Sequence, residues 1–220
     1  MSGARSRAPT DAMPLQNRVD PHGRLHAVTA RGVWMGNRGI LHDNDGQIVA
    51  PWRLKRWITC ALSFRGRQRA VFAPHRYSEL FFLDEATSFA AGHRPCAECR
   101  RERYSEFRAA WIEANSDAAD RKVGADDIDR VLHAERAIRG GGKKTWQARA
   151  RKLPPGTFVE FEGQPHLIWS GKLFPWTFAG YEDPVSASVL AEKVTVLTPQ
   201  SIVRVFESGF TPQVHGSAQD

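Results

Sequence analysis

The chain has 220 residues, a net charge of +7 and a pI near 9.7, with 41% hydrophobic and 25% charged residues. These proportions exclude a disordered polymer and allow one full domain or two small ones around a core. There is no run of about 18 apolar residues, which excludes a membrane-spanning helix. The basic start MSGARSRAPTDAMP lacks the apolar segment of a secretory signal, so a cytoplasmic location is expected.

In chain order, residues 1–24 read as a flexible basic arm, being polar and rich in Arg, Pro and Gly. Residues 25–49 read as two short strands around the turn signal DNDG. Residues 56–74 read as a hairpin: Ile58, Cys60, Leu62 and Phe64 share one face, RGRQ turns, and AVFA returns. LFFLDEATSFAAG ends a strand and starts a short helix, with Asp84 as N-cap and Gly92 just past its end. HRPCAECRR, 93–101, is a loop. RERYSEFRAAWIEAN is a helix with Tyr104, Phe107, Ala110 and Trp111 along one stripe.

SDAADRKVGADD is a polar connection. A second amphipathic helix follows, with Ile128, Val131, Leu132 and Ile138 on its apolar side, stopped by GGG. Short strands are expected at 157–162, 166–170 and 194–198, and Trp169, Phe174, Trp176, Phe178 and Tyr181 are expected to pack in that core. TPQSIVRVFESG closes as a helix, with Pro199 in its first turn and Gly209 at its end. The expected class is α+β: a zinc-pinned hairpin–helix lobe over 25–115, a helical and basic connector over 116–152, and a small β-rich C-terminal unit over 153–220.

Cys96 and Cys99 form a C-x-x-C turn that presents two thiolates to one ion, stiffened by Pro95. Cys60 is the third and last cysteine, so any further ligand is a histidine, an acid or water. ELFFLDEATSFAAGHRPCAEC resembles the zinc-binding domain of the Ada DNA-repair protein and its small relatives, over about residues 57–103. That family has an aromatic pair, a short helix ending in Ala-Ala-Gly, then Arg-Pro-Cys, two residues and Cys. The resemblance implies zinc, with Cys96 and Cys99 as the last two ligands and Cys60 and His75 in the places of the first two. It also implies a role in DNA repair. Methyl transfer, which the family performs on one of four cysteines, does not carry over to a chain with three cysteines and with His93 where the family places an aromatic.

The charge excess, carried mostly by Arg, suits a polyanion such as double- or single-stranded DNA. Arg94, Arg100, Arg101 and Arg103 around the turn are candidate phosphate contacts. GGGKKTWQARARK, 140–152, adds Lys143, Lys144, Arg149 and Arg151, with Trp146 as a stacking ring. Lys143 or Lys144 is a candidate Schiff-base amine for an abasic sugar, and His42 with Asp43 a candidate acid–base or metal pair for a nuclease. The expected function is a zinc-containing DNA-binding protein of repair or processing. The alternatives are a lesion-processing glycosylase, AP lyase or nuclease with a structural zinc, and a dithiol redox protein.

Overall fold

The computed structural model describes residues 13–66, 70–116 and 122–218. Residues 1–12 of the expected arm, 67–69 of the expected hairpin and 117–121 of the polar connection lie outside the described residues.

Six short strands form the first sheet: β1 (Gln16–Val19), β2 (Leu25–Ala27), β3 (Trp34–Asn37), β4 (Ile58–Cys60), β5 (Leu80–Phe82) and β6 (Arg94–Pro95). Their order is β2-β1-β5-β3-β4-β6, with β1–β5 and β4–β6 parallel and the other pairs antiparallel. Val19, Leu80 and Phe82 pack with Leu41 and Ala91 on its inner face. Gly36 on β3 is needed there because a Cβ would stand 2.5 Å from the Phe82 ring.

The hairpin expected over 56–74 does not form. Both edges of β4 are occupied, by β3 and by β6, so AVFA has no edge to pair with. Phe72 instead adopts φ 58° and stacks on His42. The DNDG turn forms, with Gly46 N donating to Asp43 O at 3.2 Å, but only the single bridge His42–Ile48 joins its arms.

Three helices belong to this stretch: α1 (Glu85–Ala90), which precedes β6, and α2 (Arg101–Asn115) and α3 (Ala125–Arg136), which follow it. Asp84 caps α1 as expected, accepting from Thr87 N at 2.7 Å, and Gly92 follows it at φ 85°. Every residue of α1 is buried. Ala86 and Ala90 face Phe158, Leu167 and Trp176, while Phe89 meets Phe107, Trp111, Ile128 and Leu132. Small residues on one side and an aromatic on the other let one short helix serve two cores. On α3, Ile128 and Leu132 are buried but Val131 is exposed, and Ile138, expected on the same helix, lies exposed beyond its end. The helix ends at Arg136, before the glycines, where Ala137 turns extended and bridges Lys143.

The second sheet contains β7 (Trp146–Arg149), β8 (Phe158–Phe161), β9 (Gln164–Trp169), β10 (Lys172–Thr177), β11 (Gly180–Tyr181), β12 (Val185–Ser186) and β13 (Lys193–Val196). Its order is β11-β10-β9-β8-β13-β7, with β12 also on β10. The class is α+β, as expected. Sequence reading missed β10, which carries Pro175 in its interior. A residue's N–H and C=O point to the same strand edge, and Pro175 O accepts from Glu182 N at 3.0 Å. The missing donor therefore faces the short β11 side and leaves the β9 ladder intact. The basic segment expected in the connector is β7, an edge strand on β13. Phe174, Trp176 and Tyr181 are core, with Trp169 and Phe178 packed against them, as expected. After the second sheet comes α4 (Gln200–Glu207), whose Ile202, Val205 and Phe206 join Phe89 and Phe107.

Candidate metal centre

The parallel pairing of β4 with β6 sets Thr59 opposite Pro95. Cys96 N continues that ladder, donating to Thr59 O at 2.9 Å, which brings Cys96 alongside Cys60. The turn after Cys96 then returns Cys99. The three sulfurs lie within 4.8 Å of one another, and all three thiols are free. Sulfurs 2.3 Å from one tetrahedral ion stand about 3.8 Å apart, so this spacing fits a shared ion.

Two backbone amides point at sulfur: Ala61 N at Cys99 Sγ (3.4 Å) and Glu98 N at Cys96 Sγ (3.5 Å). Thiol hydrogen bonds from Cys60 and Cys99, with the Glu98 amide, hold the Cys96 thiol far below its ordinary range. The same contact with Cys96, together with burial, pushes the Cys60 thiol up. Without a cation, three crowded sulfurs favour one thiolate; a divalent ion lets all three ionise.

His75 does not join the sulfurs. It is exposed in the turn before β5, at φ 59°. Among the described residues no histidine or carboxylate completes the set. The cysteines instead line a cavity of about 520 Å³, walled by Ile58, Leu62, Val71 and Phe81 and bordered by Arg56 and Glu79. Glu79 is buried; its Oε2 accepts from Phe72 N at 2.9 Å, and its Oε1 has no protein partner.

Three of the four arginines expected on phosphate are turned inward. Arg94 forms a bidentate pair with buried Asp129, Nη2 to Oδ2 at 2.7 Å and Nε to Oδ1 at 3.0 Å. Arg100 donates to Glu85 Oε1 at 2.6 Å and lies 3.7 Å over the Trp34 ring. Arg103 grips Glu85 and Glu106 and donates to Thr211 O. These guanidinium groups fix α1 and α3 against the cysteine turn. Arg101 is exposed. Sequence reading missed Glu85 and Asp129; their signal was a carboxylate inside an otherwise buried helical face.

The second basic patch divides in the same way. Lys143 Nζ donates to Pro21 O at 2.9 Å and to the carbonyls of Ala90 and Leu197, so three acceptors hold the amine that a Schiff base would need free. Trp146 is half-buried, packed beside Val194 and Val196, and donates to Thr198 O at 2.8 Å, which removes it as a stacking platform. Lys144, Arg149 and Arg151 are exposed; Lys144 donates to Ala134 O, and Arg149 lies 3.6 Å from Glu192. His42 and Asp43 do not form an acid–base pair. His42 Nδ1 meets Ser78 Oγ at 2.6 Å, while Asp43 Oδ1 accepts the amides of Asp45 and Gln47 that close the turn.

His93 is wholly buried beside Phe82 and Trp57, and its Nε2 accepts from Arg38 Nε at 3.1 Å. Burial, then the charges of Arg38 and Arg136, hold its pKa well below the usual value. The unfolded chain takes up a proton here near pH 6.5 and the folded chain does not. Stability is therefore full above that pH and falls below it, by at most about 1.4 kcal/mol per pH unit. Urea unfolding from pH 7.5 to 5.5 checks this: the decline should shrink in His93→Gln, which keeps an acceptor for Arg38 but cannot be protonated.

Comparison with protein-family models, with curated proteins and with solved structures gives no match for this chain. The functional reading therefore rests on its own residues and on the resemblance of its 57–103 segment.

Proposed function

We propose that this is a zinc protein acting on DNA, in repair or processing, with Cys60, Cys96 and Cys99 holding the ion at the wall of a substrate cavity. The observation that carries the reading is three sulfurs gathered within 4.8 Å beside about 520 Å³ of open space. Thiolates select soft or borderline ions such as zinc. Zinc on three protein ligands keeps a fourth position for water or substrate, and it keeps thiolates deprotonated at neutral pH.

The chain's own residues divide the remaining work. Ile58, Leu62, Val71 and Phe81 give the cavity an apolar wall. Glu79, with one oxygen fixed by the Phe72 amide and the other without a protein partner, can hold or accept a proton there. Arg53, Lys55 and Arg56 are exposed on the approach to β4, and Arg56 also borders the cavity. This is a basic rim where a phosphodiester backbone can lie, and it takes the role that Arg94, Arg100 and Arg103 cannot perform.

Salt dependence tests the DNA part. Binding to a short duplex or single strand should weaken with salt at a log–log slope of about −0.9 per phosphate contact. The triple change Arg53→Ala, Lys55→Ala and Arg56→Ala should flatten that slope by roughly 2 to 3. A salt-independent affinity, or a slope untouched by the triple change, removes this rim from the reading. Protein purified with an oxidised Cys96–Cys99 pair and no zinc would favour the dithiol alternative.

A further inference from the structure

A second cavity, of about 330 Å³, lies away from the cysteines and is lined by Arg38, Arg136, Lys143, Trp52 and Trp57. Arg38 and Arg136 are almost wholly buried, and each guanidinium carbon lies 4.2 Å from the centroid of the Trp57 ring. Their hydrogen bonds go to neutral acceptors. Arg38 donates to Gly23 O at 2.8 Å and to His93, and Arg136 to the carbonyls of Gly92 and Lys55. The Lys143 ammonium is likewise held by carbonyls. Buried cations ordinarily have a carboxylate in contact. Among the described residues none of these three has one. The nearby acids are engaged elsewhere: Asp129 pairs with Arg94, Asp20 accepts from Arg24 N and meets His26, and Glu160 meets His22 at 3.1 Å.

Three N–H donors on the lining residues also have no protein acceptor: Arg38 Nη2, Arg136 Nε and Trp52 Nε1. An unanswered buried donor is rare and costs roughly 1–3 kcal/mol, more for a charged group. Burial pushes Arg38 down to about 9 and Lys143 down to about 7; the charge of Asp20, joined by Glu160 for Lys143, offsets this only in part because neither acid is in contact. The rest of the wall is mixed, with Gln16, His22 and Arg24 beside the apolar Leu25, Ile48, Val49 and Pro51. The volume is near the lower end for small-molecule sites and cannot admit a duplex.

We infer that this cavity binds the phosphate group of a small phosphate monoester, with the open donors of Arg38 and Arg136 turned to the phosphate, the Lys143 ammonium adding charge from its carbonyl cradle, and Trp52 and the apolar part of the wall taking the body of the ligand. Phosphate is favoured over carboxylate because three cationic residues without a contacting carboxylate line one cavity, and their summed charge suits a dianion better than a single negative charge. Free phosphate, a mononucleotide and a phosphorylated strand end share this chemistry, and the arms of the experiment separate them.

The test is isothermal titration of the full chain with inorganic phosphate, adenosine 5′-monophosphate, a 5′-phosphorylated dinucleotide and acetate. Saturable phosphate or monophosphate binding is expected, with acetate at least about tenfold weaker. Trp52→Phe, which keeps a ring but deletes the donor, should weaken binding of the monophosphate about fivefold, and Lys143→Gln about tenfold or more. Zinc content should be unchanged in both, which separates this site from the cysteine centre. The inference is overturned if the wild type shows no saturable binding below about 10 mM of any phosphate probe. It is overturned equally if acetate binds as tightly, or if both folded variants retain wild-type affinity.

Discussion

Cys96→Ser should reduce bound zinc from about one ion per chain to a small fraction of that, and the chain should lose about 4 kcal/mol of stability when free zinc is at a thousandfold of its Kd. Cys96 is tied to both other cysteines: its amide continues the β4–β6 ladder beside Cys60, and its sulfur is the one whose ionisation the other two thiols support. A serine oxygen keeps the backbone contact but is a poor ligand for an ion selected by sulfur. Metal analysis of variant and wild type after gel filtration reads the first effect, and urea unfolding reads the second. Chelator-treated wild type should coincide with the variant, because both lack the same ion. His75→Ala should leave zinc content at the wild-type level, since that ring lies outside the sulfur cluster. Equal zinc in wild type and Cys96→Ser would dismantle the metal centre.

The second large effect belongs to Glu85. Its carboxylate is fully buried and accepts from Arg100, from Arg103 in a two-pronged contact, and from Gln213 N at 2.9 Å. Glu85→Gln preserves size and removes the charge, leaving buried Arg100 without a carboxylate and Arg103 with only the exposed Glu106. The expected loss is about 3–5 kcal/mol, the cost of breaking a buried pair from one side. Zinc affinity should fall with it, because Arg100 follows Cys99 directly and sets the start of α2. Glu106→Gln is the control: it also removes an Arg103 partner, at 2.8 Å, but its side chain is 59% exposed, and the loss should stay below about 1 kcal/mol. Equal losses in the two variants would show that the burial of Glu85 carries no special weight.

Local chemistry was legible wherever cause and effect lie within a few residues. Asp84 caps α1 because its carboxylate reaches an amide three residues on, and Gly92 ends it because the chain there needs positive φ. Phe107 and Trp111 fall on the buried stripe of α2 by helical period alone. The C-x-x-C turn marks a candidate metal site because its spacing is itself the geometry of the turn. Reading failed where the deciding contact is distant. Period two along 58–64 cannot reveal that β6, more than thirty residues later, has already taken the edge a hairpin would use. An internal proline argues against a strand unless the missing donor faces a short neighbour, as it does at Pro175.

The sequence by itself determined the α+β class, the paired cysteines, the caps and the basic excess, because composition, period and turn chemistry act locally or in sum. Only the tertiary structure decided that Cys60 joins Cys96 and Cys99 while His75 does not, and that Arg94, Arg100 and Arg103 face carboxylates rather than solvent. It also gathered Arg38, Arg136 and Lys143 around one cavity. The physical reason is that a charge or a thiol acts through its surroundings, and those are set by strand pairing and helix packing between segments far apart in the chain.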